Sequence, residues 1–299
     1  LDDAGDGSAY SAAHARIHPL LRNIVDRFGY HDLFLIDPDT GVIIYSVFKE
    51  TDFTTNLLTG PYKNSSLAAA FRTARDAKGS GFTTTVDFRP YGPSGGAPAA
   101  FMASPMYDGA ELVGVFASQI PVDEINRVTT GGEAWSDNGL GATGEAYIVG
   151  ADGTMRSVSR FLVENPQGYI EALRSLGIPS ARLARIEAFG TSVLQQEVAT
   201  EAITEASLGR QGTTTMPDYR GVDVLSSYAP LAIPDLDWVI VAEMDAAEAF
   251  APVYRFRQTV LICSAVIVLV VTGLAMAMAN IFVAPVARLA SHARKASVG

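Results

Sequence analysis

Apolar and polar positions along the chain fall into three patterns. At residues 8–28, Ile17, Leu20, Leu21, Ile24, Val25 and Phe28 recur at spacings of three and four, which predicts a helix with one apolar face. Leu33-Phe34-Leu35-Ile36 and Val42-Ile43-Ile44-Tyr45 are β-rich runs broken by Asp37-Pro38-Asp39-Thr40-Gly41, and they predict a hairpin. A polar stretch leads to an Ala-rich helix at 65–77 and strands at about 82–88, 99–104 and 112–120. Pro121 then stands in the first turn of another helix. The third pattern is the run Gln258 to Ala287, thirty residues without a charge. About twenty apolar residues at roughly 1.5 Å rise cross the hydrocarbon core of a bilayer, so this run predicts a transmembrane helix. Residues before it then lie on one side of the membrane and 285–299 on the other.

The second half repeats the plan of the first. Tyr147 to Thr154 answers Phe34 to Gly41 as a strand and tight turn, and helical and loop sequence fills 160–208. Gly212-Thr213-Thr214-Thr215 through Arg220 echoes Gly81-Phe82-Thr83-Thr84-Thr85 through Arg89, and Tyr228-Ala229-Pro230-Leu231 echoes Ala103-Ser104-Pro105-Met106. Trp238 to Glu243 echoes Gly114 to Gln119. Glycines 131, 132, 139, 141 and 144 mark a linker or tight crossover between the halves.

Two tandem α/β modules with antiparallel sheets behind a long N-terminal helix, followed directly by a membrane helix, resemble a double Cache sensor region of PAS-like build. The resemblance implies an α+β fold with a helix at 1–30, a membrane-distal module at 31–130, a membrane-proximal module at 131–256, a transmembrane helix at 257–284 and a tail at 285–299. That tail, Pro285-Val286-Ala287-Arg288-Leu289 with Ala293, Ala296 and Gly299, resembles the start of a HAMP linker. Gly144 to Ser157 looks most like the Cache domains upstream of class III adenylate and guanylate cyclases; similar modules precede histidine kinases and chemoreceptor signalling domains. The expectation is therefore a receptor in a bacterial inner membrane, its sensor periplasmic and its C-terminus cytoplasmic, working as a homodimer. The alternative is an ectodomain without a ligand of its own, which dimerises or docks a partner through the stripe Ile17, Leu21, Ile24 and Phe28.

Charge agrees with this division. Residues 257–299 hold Arg257, Arg288, Arg294 and Lys295 and no acid, so 1–256 carries −14 of the total of −10. So acidic a region argues against nucleic acid or anionic lipid as partner. Basic residues flank both ends of the uncharged run, so the positive-inside rule places the tail in the cytoplasm only weakly. The one cysteine, Cys263, lies inside the run, which rules out an intrachain disulfide. The chain opens on Leu1 without a signal peptide, so a preceding segment is expected to have been removed.

Catalytic motifs are imitated rather than built. Gly92-Pro93-Ser94-Gly95-Gly96 has the spacing of a nucleophile elbow, but a strand follows and no histidine comes after it until His292. Asp37-Pro38-Asp39-Thr40 reads as a turn. His14 and His18 stand four apart, a zinc spacing, yet no glutamate follows His14, so a solvated polar face is expected there. No catalytic residue, metal or cofactor is implied. A cleft beside a small sheet favours binding instead. The candidates in the first module are Tyr62, Lys63, Asp87, Arg89, Tyr91, Ser104, Tyr107 and Gln119, whose aromatic faces and cations would suit a small anionic or polar ligand. The resemblance argues against an amino acid. Amino-acid-binding relatives place Arg and Trp in the helix that here reads Ser65-Ser66-Leu67-Ala68-Ala69-Ala70-Phe71, and an Asp where Gln119 stands. In the second module Tyr147, Arg156, Ser159, Arg160, Tyr219 and Tyr228 rank lower, that module being expected mainly to transmit.

Overall fold

In the computed structural model, which describes residues 5–296, Ser8 starts the first helix by accepting the Ser11 amide on its hydroxyl at 3.1 Å. Helix α1 runs Ala9–Phe28 and stops at Gly29, whose φ of 71° is left-handed and suits a residue without a Cβ. The first sheet is built from β1 (Leu33–Ile36), β2 (Ile43–Ser46), β3 (Thr84–Tyr91), β4 (Ala97–Asp108) and β5 (Glu111–Gln119), in the order β2-β1-β5-β4-β3. Every pairing is antiparallel. Helix α2 (Ser66–Asp76), capped by the Ser65 hydroxyl, covers one face. Its Leu67 and Phe71 pack with Phe34, Ile36, Phe101 and Ala117 in a buried cluster. The opposite face presents Leu33, Tyr45 and Val47 to Val25 of α1. Alternate side chains of one strand thus feed two layers, as the period of two requires.

Helix α3 (Val122–Thr129) leads through turns to β6 (Glu145–Val149), four short helices and three more strands. These are α4 (Arg160–Glu164), α5 (Pro166–Ser175), α6 (Ser180–Phe189) and α7 (Glu201–Ser207), then β7 (Gly212–Pro217), β8 (Asp223–Ile233) and β9 (Leu236–Asp245). The second sheet runs β6-β9-β8-β7, the order of β1-β5-β4-β3, so the repeat in the sequence is a repeat of topology. The echoed prolines occupy equivalent rungs, Pro105 against Val115 and Pro230 against Val239.

Residues 1–246 form one compact unit. Within it a cluster drawn from both halves, Phe88 and Ala100 with Ile148, Val193, Leu236 and Trp238, seals the junction. Phe88 and Trp238 stack there with ring centres 6.0 Å apart. Burying side chains of this size stabilises by about 1.5–3 kcal/mol each, enough to make the halves one body.

One expectation is corrected. His14 and His18 do not form a solvated face; they are 5% exposed, stack at 4.4 Å, and His18 Nδ1 lies 2.7 Å from the Tyr45 hydroxyl. The helix docks through this stripe because Tyr45 offers a polar edge inside an otherwise apolar face. Leu20 and Phe28 are left more than 60% exposed.

The second unit is 247–299. Helix α8 (Ala246–Ala249) is followed by α9 (Ala251–Met278), one π-helical turn at Ala279–Val283, and α10 (Ala284–Ala296). Among the described residues this stretch, Ala251–Ala290, alone is long and apolar enough to cross a membrane, with a mean hydropathy of 2.7 and none of its apolar window buried. Gly273 lies in regular helix, whereas Asn280 lies in the π turn. Gly299, the last position of the HAMP-like pattern, falls outside the described residues.

Candidate functional site

The inward face of the first module ends in an aromatic and acidic corner. Tyr91 closes β3 fully buried, its ring edge-on to Phe101 at 4.9 Å and near Tyr62 at 6.5 Å. Its hydroxyl donates to Asp52 Oδ2. Asp52 is buried, burial pushes its carboxyl above the ordinary carboxylate range, and its other oxygen has no partner. At the rim the Tyr62 hydroxyl meets Thr51 Oγ1 at 2.9 Å.

Beside this corner a cleft of about 750 Å³ opens where the two modules meet. Its walls include Phe48, Glu50, Ser94 and Gln119 from the first module and Phe189 and Thr191 from the second. Ser94 donates to Glu50 Oε2 at 2.9 Å, and His31 Nε2 stands 3.9 Å from Glu50 Oε1. The Gln119 backbone is held by Asp32, whose carbonyl accepts its amide at 2.9 Å, and Gln119 Oε1 is buried without a partner. Asp32 is likewise nearly inaccessible. Its Oδ1 accepts the Leu33 and Val47 amides at 2.7 and 2.8 Å, its Oδ2 has no partner, and burial pushes it up to about 7. The cleft lining carries Glu50 and Asp123 and, among the described residues, no lysine or arginine. Such a wall is rich in acceptors and is complementary to hydrogen-bond donors.

The eight first-module candidates separate into four places. Gln119 lines the cleft, and Tyr91 and Tyr62 build the corner beside it. Lys63 and Arg89 are exposed, so the cations expected to face an anionic ligand are not gathered with the tyrosines. Ser104 and Tyr107 donate to backbone carbonyls of Phe82 and Ala77, at 2.8 and 3.1 Å, and so tie down the chain that leads from α2 to β3. Asp87 points away from the cleft and into the module junction, where Arg156 and Trp238 hold it. Asp87 and Phe88 fall where the pairing of β3 with β4 is irregular, between Val86 and Arg89, and both meet Trp238, so strand period does not place Asp87, and its partner 69 residues away is not visible in the sequence. His31, Glu50 and Asp52 were missed because they stand in turns and polar stretches where pattern carries no signal.

Four of the lower-ranked candidates of the second module, Tyr147, Ser159, Arg160 and Tyr219, converge on Glu145, whereas Arg156 stands at the module junction. Tyr219 donates to Glu145 Oε1 at 2.5 Å and sits edge-on to Tyr147 at 5.7 Å; the Ser159 hydroxyl and the Arg160 amide reach Glu145 Oε2, each at 3.0 Å. Arg160 also spans to the Gly144 carbonyl at 2.7 Å. Tyr228 borders a shallower depression of about 510 Å³ on the sheet. No open cavity is lined by Glu145 or Tyr147 among those described.

A family model described as a Cache domain matches residues 3–253. Solved structures share the fold at low identity. The extracellular domain assigned to histidine kinase rpHK1S-Z16 superposes with a TM-score of 0.50 at 12% identity, covering 79% of each chain. The ligand-binding domain of the Pseudomonas aeruginosa PAO1 amino acid chemoreceptor PctB, in complex with L-Arg, gives 0.46 at 15%, covering 82% of this chain and 78% of that one. The sensor domain of the V. cholerae histidine kinase DctB gives 0.43 at 16%, covering 80% and 81%. No curated protein matches the chain.

Proposed function

This chain belongs to the Cache-domain family, and on that premise we propose that it is the sensing region of a transmembrane receptor that binds a small polar molecule in the cleft at the base of its first module. The observation that carries the reading is Gln119, a buried side chain with an unpartnered acceptor on the wall of a 750 Å³ cleft. A buried acceptor left unpaired costs about 1–3 kcal/mol, and a ligand N–H or O–H that reaches it recovers that cost. Tyr62 and Tyr91 supply the aromatic corner, and Glu50 and Asp123 favour a neutral or cationic ligand over the anionic one that Lys63 and Arg89 suggested.

The apolar helix α9 is proposed to span the inner membrane, with 1–250 periplasmic and the tail from Pro285 in the cytoplasm as the first helix of a HAMP linker. Ligand binding then biases one of two arrangements of the receptor, and the helix carries the bias inward. A coupling of about 1–3 kcal/mol suffices for a poised dimer. The exposed apolar residues Ile17, Leu20 and Phe28 on α1 support a homodimer; of the stripe expected for a ligand-free docking role, Ile17 and Phe28 are exposed while Leu21 and Ile24 pack against the first sheet. A class III cyclase is the output suggested by Gly144 to Ser157; a histidine kinase or chemoreceptor output suits the same sensor equally well.

Thermal melts against a library of small amines, amides and carboxylates test the reading. A saturable rise in Tm with a donor-bearing compound, abolished by Gln119→Ala while the unliganded Tm stays folded-like, supports it. A hit that survives Gln119→Ala but is lost on Lys63→Ala or Arg89→Ala sinks the cleft as the site.

A further inference from the structure

Glu145 on β6 and Glu243 on β9 are register partners, and both are buried, at 0% and 3% exposure. Side chains directly opposite on antiparallel strands have Cβ atoms roughly 5 Å apart, and like charges so placed repel. Glu145 is well supplied with donors, from Tyr219, Ser159 and the Arg160 amide. Glu243 is not: its Oε2 accepts from the Tyr147 hydroxyl at 3.1 Å, and its Oε1 has no partner. On its other side Glu243 is paired in register with Ser226, which is fully buried and whose Oγ also lacks a partner. Neither that carboxyl oxygen nor the Ser226 hydroxyl is hydrogen-bonded, so Glu243 has little support as an anion in a buried place, and a proton on it removes the charge.

The surrounding charges do not neutralise the pair. Arg220 is the cation whose field reaches both carboxyls, but it is engaged with Asp218 at 2.5 Å and Asp245 at 2.7 Å. Arg160 gives Glu145 only its backbone amide, its guanidinium going to Glu164 and the Gly144 carbonyl. Tyr169, from α5, donates to Gln196. The repeat offers an internal control. The rung equivalent to Glu145 and Glu243 in the first module is Asp32 and Gln119, where one member is an amide and carries no charge. A metal ion is a poor occupant, since no group of three His, Cys, Asp or Glu side chains converges among the described residues.

We propose that Glu145 and Glu243 form a proton-binding site of the second module, holding one proton between them at neutral pH and releasing it in mildly alkaline medium. Burial supports this by pushing Glu145 up to about 7 and Glu243 up to about 8. Because the folded state binds the proton more tightly than the unfolded chain, stability is highest below about pH 5. It falls as pH rises toward about 8, and flattens above that. The consequence reaches the end of the sheet. Glu243 lies two residues before Asp245, the last residue of β9 and the partner of Arg220, so mutual repulsion between β6 and β9 bears on the strand that leads in sequence to α8 and α9. The site is independent of any ligand in the cleft.

The test uses the whole chain in detergent, melted between about pH 5 and about pH 8.5. Wild type is expected to lose roughly 5–10 °C of Tm over that range, and Glu243→Gln, which mimics the protonated form, to lose less than half as much. Equal losses in both proteins overturn the proposal. If Glu243→Gln does not fold, the ¹³C carboxyl signals of wild-type protein labelled in glutamate decide. Two glutamates titrating above about pH 6 sustain the site, and none doing so refutes it.

Discussion

Arg156 grips Asp87 across the module junction with two parallel bonds, Nε to Oδ1 and Nη2 to Oδ2, each 2.8 Å. The same guanidinium is fixed from behind by the Thr154 carbonyl at 2.9 Å and by Asp152 at 3.0 Å, and the Trp238 indole donates to Asp87 Oδ1 at 3.0 Å. The Arg156 side chain is 3% exposed and Asp87 is 30% exposed. A forked, nearly buried pair of this kind fixes orientation as well as distance. It makes the first module's edge strand and the second module's first turn move together.

Replacing Arg156 with Ala leaves Asp87 and Asp152 facing each other without a cation, and is expected to cost about 2–4 kcal/mol in urea unfolding. Arg156→Lys is expected to recover less than half of that, because an ammonium cannot reproduce the fork. Asp87→Asn, which keeps an acceptor for Trp238, should be the mildest of the three. If Arg156→Ala melts within about 1 °C of wild type, the junction does not depend on this pair.

Gly150 makes the grip possible. A Cβ built there would collide with the guanidinium of Arg156, which lies directly over this glycine. Gly150→Ala is therefore expected to cost about 1–3 kcal/mol by pushing Arg156 off Asp87. In a double-mutant cycle the cost should largely vanish once Arg156 is already Ala. Additive losses would mean that Gly150 acts through its own backbone instead.

Asp32 sets a pH dependence in the first module. Burial raises its carboxyl from 3.8 to about 7, so the folded state holds a proton that the unfolded chain releases near pH 4. Its contribution therefore falls as pH rises from about 4 to about 7 and is constant beyond. Asp32→Asn keeps an oxygen for the Leu33 and Val47 amides, and should be neutral or stabilising at pH 8. Asp32→Ala orphans both amides and should cost about 1–3 kcal/mol at any pH. Tm measured at pH 4.5 and pH 8 for the two variants separates these effects, and identical behaviour of the two would contradict the assignment.

How far the sequence spoke depended on whether the signal was periodic. Strand runs such as Leu33 to Ile36, the Ser65-capped helix and the repeated Thr-rich strands were legible, because spacing alone decides which side chains share a face. The repeat made Pro105 and Pro230 equivalent, while their partners Val115 and Val239 are known only from the structure. Partnerships across long separations were not legible. Asp87 has the residue type of a cleft group, but Arg156 claims it, and nothing in the spacing of Glu145 and Glu243 shows that they share a rung. The inner face of α1 was legible in part: Val25, Leu21 and Ile24 pack on the first sheet as their spacing predicts, whereas only the position of Tyr45 explains why His14 and His18 join them and Leu20 and Phe28 do not.

The π turn at Ala279–Val283 holds one residue more than a regular helix needs between α9 and α10. Deleting Asn280 is expected to restore a continuous α-helix and to leave the residues from Pro285 onward in their present phase relative to α9, whereas deleting a residue of the regular helix, such as Gly273, should rotate them by about 100°. Single cysteines placed along 285–293, in a background without Cys263, would report an unchanged pattern of protection for the first deletion and a shifted one for the second. A shift for both would show that the turn absorbs nothing.

The first module can be made to imitate the second. Gln119→Glu puts a second carboxyl opposite Asp32, on the rung where Glu145 and Glu243 stand in the other sheet. The amide that is lost carried no charge, so at pH 5, where both acids hold protons, the variant should melt close to wild type. At pH 8 the two carboxylates share a largely buried space. The variant should then be about 1–3 kcal/mol less stable than wild type, with most of the change arising between those two values. Asp32→Asn combined with Gln119→Glu should remove the added pH dependence, since it leaves one acid on the rung. A loss for Gln119→Glu that is the same at both pH values would point to steric misfit, and would weaken the case that paired buried acids make either module sensitive to protons.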